Sequence, residues 1–325
     1  MKRRSFCVNA IGAVGALALA PSCVAAAKAW PTRPVRIIVP SMGGSPWDPL
    51  ARLLAERLGA AFGQPFIVEN KSGATGTIGM DAVAKDTSGD TLGVIFMPHV
   101  LTPSLFRKMP YDILRDVQPV CQTQWSYNVL VVRAALPIHS MAELVAYARD
   151  NPGKLSMASG GNGSPAHVMG EYFKQASGTS MLHVPYRGPV AALKDLIGGQ
   201  ADVMFAATAP AIPFVQSGQL RAIGVTSTQR LDALPGVPTF AEAGYAQFDV
   251  RDWAGIVASP AVPATAVGRL NAAINKVLAE PDVQAQYAKM GIYLHGGSAQ
   301  ELGALMQSEL VKWRGVIKSA GLQLD

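Results

Sequence analysis

The chain has 325 residues, 49% hydrophobic and 15% charged, with a formal net charge of +6. Lys2, Arg3, Arg4 and Lys28 all lie in the first 29 residues with no acid among them; without that stretch 24 cations face 22 acids and the charge is +2, so the basic balance argues for no nucleic-acid partner. Cys7 and Cys23 lie in the same stretch, leaving Cys121 alone as a small hydrophobe and excluding a disulfide framework in the remainder.

Residues 1–29 read as a secretory leader: a basic start, an apolar run over 7–24, and Ala27-Lys28-Ala29 as a small-x-small cleavage site before Trp30. The run is short for a membrane span and its flanks do not suit a stop-transfer segment. Arg3-Arg4-Ser5-Phe6 leaves the general secretory and twin-arginine routes both open, and Ala20-Pro21-Ser22 is a weak lead-in for a lipid-modified Cys23. The remaining 296 residues are expected to form a soluble periplasmic monomer large enough for two domains.

Apolar runs then alternate with helical patterns. Strands are expected at 35–39, 66–70 and 92–96, with a helix carrying Leu50, Leu53, Leu54 and Leu58 between the first two and another over 80–85. A second series gives strands at 129–132, 154–158, 183–185, 203–205 and 220–225, with helices over 141–149 and 189–197. A strand over 249–257 and helices over 264–279, 281–290 and 299–318 complete the chain. This rhythm predicts α/β architecture, with ligands at the carboxyl ends of strands.

One phrase occurs twice after a strand: Gly43-Gly44-Ser45-Pro46 and Gly161-Asn162-Gly163-Ser164-Pro165. Ser is a preferred N-cap and Pro a preferred first helical residue, while glycine lets backbone N–H groups approach a ligand. A helix start offers free donors and about half a positive charge, which suits an anion. Two such starts predict two domains closing on a carboxylate. A double crossing of the chain assigns 30–125 plus 252–325 to domain 1 and 126–251 to domain 2, with two hinge strands. A bulky side chain at Gly44 or Gly163 is expected to block the ligand without disturbing the fold.

The chain resembles the Bug family of periplasmic solute receptors related to tripartite tricarboxylate transporters. The marks are Trp30-Pro31-x-x-Pro34, Arg36-Ile37-Ile38-Val39-Pro40, Val68-Glu69-Asn70 with Gly73, Gly76 and Gly79, Pro110-Tyr111-Asp112, Asn151-Pro152-Gly153, both glycine turns, His183-Val184-Pro185-Tyr186-Arg187-Gly188, Leu234-Pro235-x-Val237-Pro238-Thr239 and Glu242-Ala243-Gly244. The resemblance implies a two-domain Venus-flytrap fold of type II, each domain a mostly parallel sheet flanked by helices. It also implies a small organic acid held mainly by backbone donors and hydroxyls, and a membrane permease or sensor as partner.

Carried over by position, the first-domain loop supplies Ser41, Met42, Gly43, Gly44, Ser45, Trp47 and Asp48, and the second-domain loop Ser159, Gly161, Asn162, Gly163 and Ser164. Tyr186 and Arg187 are expected to line the same cleft, with His99 and the wall from Ala206 to Thr208 adding specificity. Where the family commonly has a small Thr, Trp47 offers a stacking surface for an aromatic or apolar-bodied acid. Asp48 also reads as a capping carboxylate, and Arg187 as a partner for either a ligand or Asp202.

Other chemistries find less support. Gly161 to Ala166 matches a dinucleotide fingerprint but lacks the later acid that holds the ribose, and no Gly-Lys-Ser/Thr follows Gly73 to Gly79. None of the five histidines forms an i,i+4 pair, and no nucleophile elbow is present, so neither metal nor cofactor is expected. The alternative from another class is an exported hydrolase or lyase, using His99, His167 or Asp48 as its base.

Overall fold

The computed structural model describes residues 30–324, so the leader expected over 1–29 lies outside the described residues. The first of two sheets holds β1 (Val35–Val39), β2 (Phe66–Asn70), β3 (Thr91–Phe96), β4 (Gln118–Ser126), β10 (Asp252–Ala258) and β11 (Ile292–Leu294). Their spatial order is β11-β4-β10-β3-β1-β2. The second holds β5 (Asn128–Arg133), β6 (Ser156–Ser159), β7 (Leu182–Pro185), β8 (Val203–Ala207) and β9 (Leu220–Val225), in the order β7-β6-β8-β5-β9.

Parallel pairing joins β1 to β2 and β3, and β6 to β7 and β8. Neither sheet is parallel throughout. β10 lies antiparallel between β3 and β4, and β5 lies antiparallel between β8 and β9. These two strands carry the chain between sheets: β5 follows β4 after Tyr127 alone, and β10 opens the return after residues 226–251. Without a crossover helix to bring the chain back to the starting edge, each enters its sheet in the opposite sense.

Helices cover both faces, which is why strands such as β1 and β3 are apolar almost without alternation. On one face of the first sheet, α1 (Asp48–Phe62), α8 (Ala264–Leu278) and α9 (Pro281–Ala288) bury Leu50, Leu54, Leu58, Leu270, Ile274 and Tyr287. On the other, α2 (Thr77–Ala84), α3 (Met97–Leu105) and α10 (Ala299–Ser319) share one continuous core with α4 (Met141–Asp150) and α5 (Pro165–Ser177) of the second sheet. The outer face of the second sheet packs on α6 (Pro189–Ile197) and α7 (Thr208–Gln216).

The sequence patterns omit β4, β11, α3 and α7. α3 contains Pro98 and Pro103, and α7 contains Pro210 and Pro213. Pro103 has no N–H for the His99 carbonyl, and Thr102 Oγ1 donates to that oxygen instead at 2.8 Å. The first cap also differs from expectation. α1 begins at Asp48 with Pro49 in its first turn, and Trp47, not Ser45, takes the cap position without a side-chain bond. Ser164 does cap α5, accepting the His167 N–H at 3.4 Å ahead of Pro165.

The C-terminal segment ties the two sheets together. Gln175 Nε2 on α5 donates to the Val316 carbonyl at 3.0 Å, and Ser319 Oγ donates to Gln175 Oε1 at 3.0 Å. The Leu324 N–H then bonds the Leu105 carbonyl at 2.9 Å. A Cβ at Gly163 would stand 2.9 Å from Leu324 Cδ1 and 3.0 Å from Leu105 Cδ1. Gly163 therefore faces protein, and a side chain there would disturb packing rather than block a ligand.

Two stability predictions follow from this packing. Phe173 is fully buried with its ring edge-on to Phe205, Phe240, Tyr245 and Phe248, so Phe173→Ala should cost about 3–5 kcal/mol, read as a lower urea midpoint at constant slope. Gly44 and Gly163 both have positive φ, +76° and +73°, but only Gly163 has atoms within 4 Å of its would-be Cβ. Gly44→Ala should cost about 1 kcal/mol in backbone strain, and Gly163→Ala clearly more in the same urea titration.

Candidate functional site

Parallel pairing brings the carboxyl ends of β1, β2 and β3 to one edge, and those of β6, β7 and β8 to one edge of the other sheet. The expected site residues leave the sheets at these edges.

In the first turn, Ser41 and Ser45 share a hydrogen bond at 2.7 Å between their hydroxyls. Asp48 is buried and its carboxylate is fully engaged. Arg52 donates to it through Nε at 2.8 Å and Nη2 at 3.2 Å, Asn70 Nδ2 donates at 2.8 Å, and the Gly44 N–H reaches it at 3.4 Å. The Arg52 bond, with those from Asn70 and Gly44, holds the Asp48 carboxyl below its usual range against the opposing effect of burial. Asp48 thus fixes the turn through Gly44, Arg52 and Asn70, but it forms no capping box with Ser45, whose N–H bonds the Met42 carbonyl instead. The N–H groups of Ser45 and Asp48 bond within the turn, while those of Met42 and Gly43 have no partner among the described residues.

Trp47 is half-buried and stacks on Phe96 with centroids 5.2 Å apart and planes 11° apart, so one indole face is already covered. His99 is not in an open turn. It lies fully buried in the first turn of α3, where Nδ1 accepts the Phe96 N–H at 3.2 Å. Burial lowers its pKa to about 3, so the ring is neutral with its proton on Nε2, an atom without a partner among the described residues. A Cβ at Gly76 would stand 2.2 Å from that nitrogen, so the ring packs against a glycine and is shielded from a ligand.

In the second turn, several backbone donors expected for an anion are engaged internally. The Gly161 N–H bonds Ser159 Oγ at 3.1 Å, the Gly163 N–H bonds His167 Nδ1 at 3.0 Å, and the Ser164 N–H bonds the Gly161 carbonyl at 3.1 Å. The N–H of exposed Asn162 has no partner among the described residues, and the Ser164 hydroxyl, which accepts from His167, retains its own proton to donate.

The loop after β7 lies against this turn, with Tyr186 N–H on the Ser159 carbonyl at 2.9 Å and Gly188 N–H on the Gly160 carbonyl at 3.2 Å. It brings Tyr186 and Arg187 to the same edge. Arg187 is exposed and forms no hydrogen bond or ion pair among the described residues. Asp202, its possible structural partner, is instead held by Arg133 Nε at 2.7 Å and by Ser156. Ala206 and Thr208 are both buried: Ala206 belongs to the core of the second sheet, and Thr208 Oγ1 donates to the Tyr127 carbonyl at the chain crossing. Among the described residues no hydrogen bond joins the two turns. Asn70 and Arg52, which brace the first turn, and His183, beneath the second, are absent from the sequence-based site. His183 stood within a quoted motif, but only the pairing of β6 with β7 sets it beside Ser159.

Among the described residues no helix is long and apolar enough to cross a membrane, and no cluster of three or more metal-ligating side chains occurs. Residues 50–322 match the tripartite tricarboxylate transporter family receptor. The chain is 32% identical to Protein BugT of Bordetella pertussis over 301 residues, covering 92% of each. Two solved structures from Rhodopseudomonas palustris superpose on it. Rpa4515 with adipate has a TM-score of 0.80 at 33% identity, and MatC with bound malate 0.78 at 29%; these cover 91% and 89% of this chain and all of theirs. The resemblance of the glycine-turn motifs to Bug receptors, the two helix-flanked sheets and these matches agree: the chain belongs to the tripartite tricarboxylate transporter family of receptors.

Proposed function

We propose that this protein captures a small organic carboxylate in the periplasm, between the units 30–125 plus 252–325 and 126–251, and passes it to a membrane permease. The observation that carries the reading is the pair of turns ending β1 and β6, in a chain whose structural relatives include one with adipate and one with malate. Each turn is locked by its own hydrogen bonds and leaves a few donors over: the N–H groups of Met42, Gly43 and Asn162, and hydroxyls from the Ser41–Ser45 pair and Ser164. Preformed donors of this kind bind an anion without first being ordered.

Charge points the same way. Arg52 compensates Asp48 within the first turn, while Arg187 stands uncompensated beside the second and suits a bidentate bond to a carboxylate. The exposed face of Trp47 would lie along the body of the acid, favouring aromatic or apolar-bodied acids. The family consists of receptors, and His99, one of the bases an enzyme would require, is buried and neutral.

The test is a thermal-shift and calorimetric screen of the exported protein against mono-, di- and tricarboxylates, aromatic acids and amino acids. An acid at 100 times its Kd should add about 2.7 kcal/mol of stability, a shift of several degrees; no response to any acid would overturn the reading. Arg187→Gln should weaken the responding acid about tenfold and leave the melting temperature of the ligand-free protein unchanged.

A further inference from the structure

Beneath the second turn lies a cluster of titratable groups that the carboxylate reading does not use. His167, in the first turn of α5, and His183, on β7, stack face to face with centroids 3.7 Å apart and planes 7° apart. His167 Nδ1 accepts the Gly163 N–H, so that nitrogen carries no proton. The ring proton therefore sits on Nε2, which faces Glu171 Oε1 at 3.7 Å. His183 Nε2 is 2.6 Å from Ser159 Oγ, the hydroxyl that receives the Gly161 N–H and lies 3.1 Å from the Gly161 carbonyl. Lys174 Nζ closes the cluster, 2.6 Å from Glu171 Oε1 and 3.2 Å from the Met181 carbonyl.

We propose that His167 and His183 are positioning residues for ligand capture: a neutral, stacked imidazole pair that pre-forms the second turn by holding the Gly163 N–H and the Ser159 hydroxyl. The Asn162 N–H and the Ser164 hydroxyl are then left in place for the carboxylate. This inference rests on the receptor reading above. The pair works only while uncharged. A proton on His167 Nδ1 would set a donor against the Gly163 N–H, and an imidazolium would sit 3.7 Å from the other ring and close to Lys174.

The surroundings enforce that state. Burial, then His183 and Lys174, lower the His167 pKa to about 3, and burial, then Lys174, lowers that of His183 to about 4. Both folded values lie below the ordinary 6.5, so their contribution to stability is complete above pH 6.5 and is lost as pH falls toward 3. Unfolding at pH 5 should accordingly take up about two protons from these side chains.

The test compares shape with hydrogen bonding in the purified exported protein. His167→Phe keeps a ring in the stack but removes the acceptor; His167→Asn returns an acceptor near the Nδ1 position without the ring. The first readout needs no ligand. Amide hydrogen exchange at Gly163 should accelerate about tenfold in His167→Phe and recover in His167→Asn. The second readout is the Kd for adipate, or for the strongest acid in the screen if adipate does not respond. It should weaken about tenfold in His167→Phe, recover in His167→Asn, and in the wild type show no titration near pH 6.5, where an ordinary imidazole would charge.

His183→Phe and His183→Gln repeat the comparison at Ser159, read at the Gly161 amide, should His167→Phe fail to fold. Unchanged exchange in the Phe variants, or a wild-type affinity that titrates near pH 6.5, would overturn the proposal. If no acid binds the wild type, the receptor reading fails, while the exchange experiment still decides whether the imidazoles hold the turn.

Discussion

The structure depends on one insertion. β10 lies between β3 and β4, buried along nearly its whole length, and bonds to both. The first sheet is therefore incomplete until the chain has crossed to the second sheet, built it and returned. The same route brings α10 and the C-terminal residues back across α5, where Val316 and Ser319 bond Gln175 and Leu324 packs on Gly163. The glycine turn of the second sheet thus rests partly on residues contributed by the end of the chain. Its position is a tertiary property, although its conformation is local.

The two glycine turns share a phrase but differ in physics. In the first, prolines at 46 and 49 compete for the helix start, and the later one occupies the first turn of α1. That displaces Ser45 from the cap and leaves Asp48 to hold the loop through Arg52, Asn70 and Gly44. In the second, a single proline leaves Ser164 as the cap, and the loop is held from beneath by Ser159 and His167. One turn is fixed by a charged bracket and the other by neutral acceptors.

Elements whose pattern stands in their own residues were legible in the sequence: 35–39, 66–70, 189–197 and 220–225 match the structure residue for residue. α3 and α7 were not, because their prolines argue locally against helix and only the packing of Val100, Leu101, Leu105 and Ala211 reverses that argument. β4, rich in Gln and paired on both edges, lacks a clean alternation. The site divides in the same way. The glycines and serines of the turns could be placed from sequence, but which N–H groups remain free could not, since the acceptors come from Asp48, Ser159 and His167 in three-dimensional register. His99 shows the reverse: its position after a strand suggested access, and the proline-containing helix buries it.

The difference between the turns also bears on how the proposed carboxylate would be accepted. An uncompensated Asp48 about 4 Å from a ligand carboxylate would cost about 4 kcal/mol at an effective dielectric of 20, more than the net contribution of several neutral hydrogen bonds at about 1 kcal/mol each. Arg52, bonded to both carboxylate oxygens, removes that repulsion, so it belongs to the turn and not to the ligand. Beneath the second turn, charge is excluded instead: a proton on His167 Nδ1 would break its bond to the Gly163 N–H, and burial keeps both imidazoles neutral. On the proposed reading net attraction is left to Arg187, which is exposed and forms no hydrogen bond or ion pair among the described residues. On that reading the neutral interior sets the geometry and one surface cation supplies the charge. Affinity should therefore decline with ionic strength, as screening weakens the Arg187 contribution, while selectivity for the shape of the acid should not.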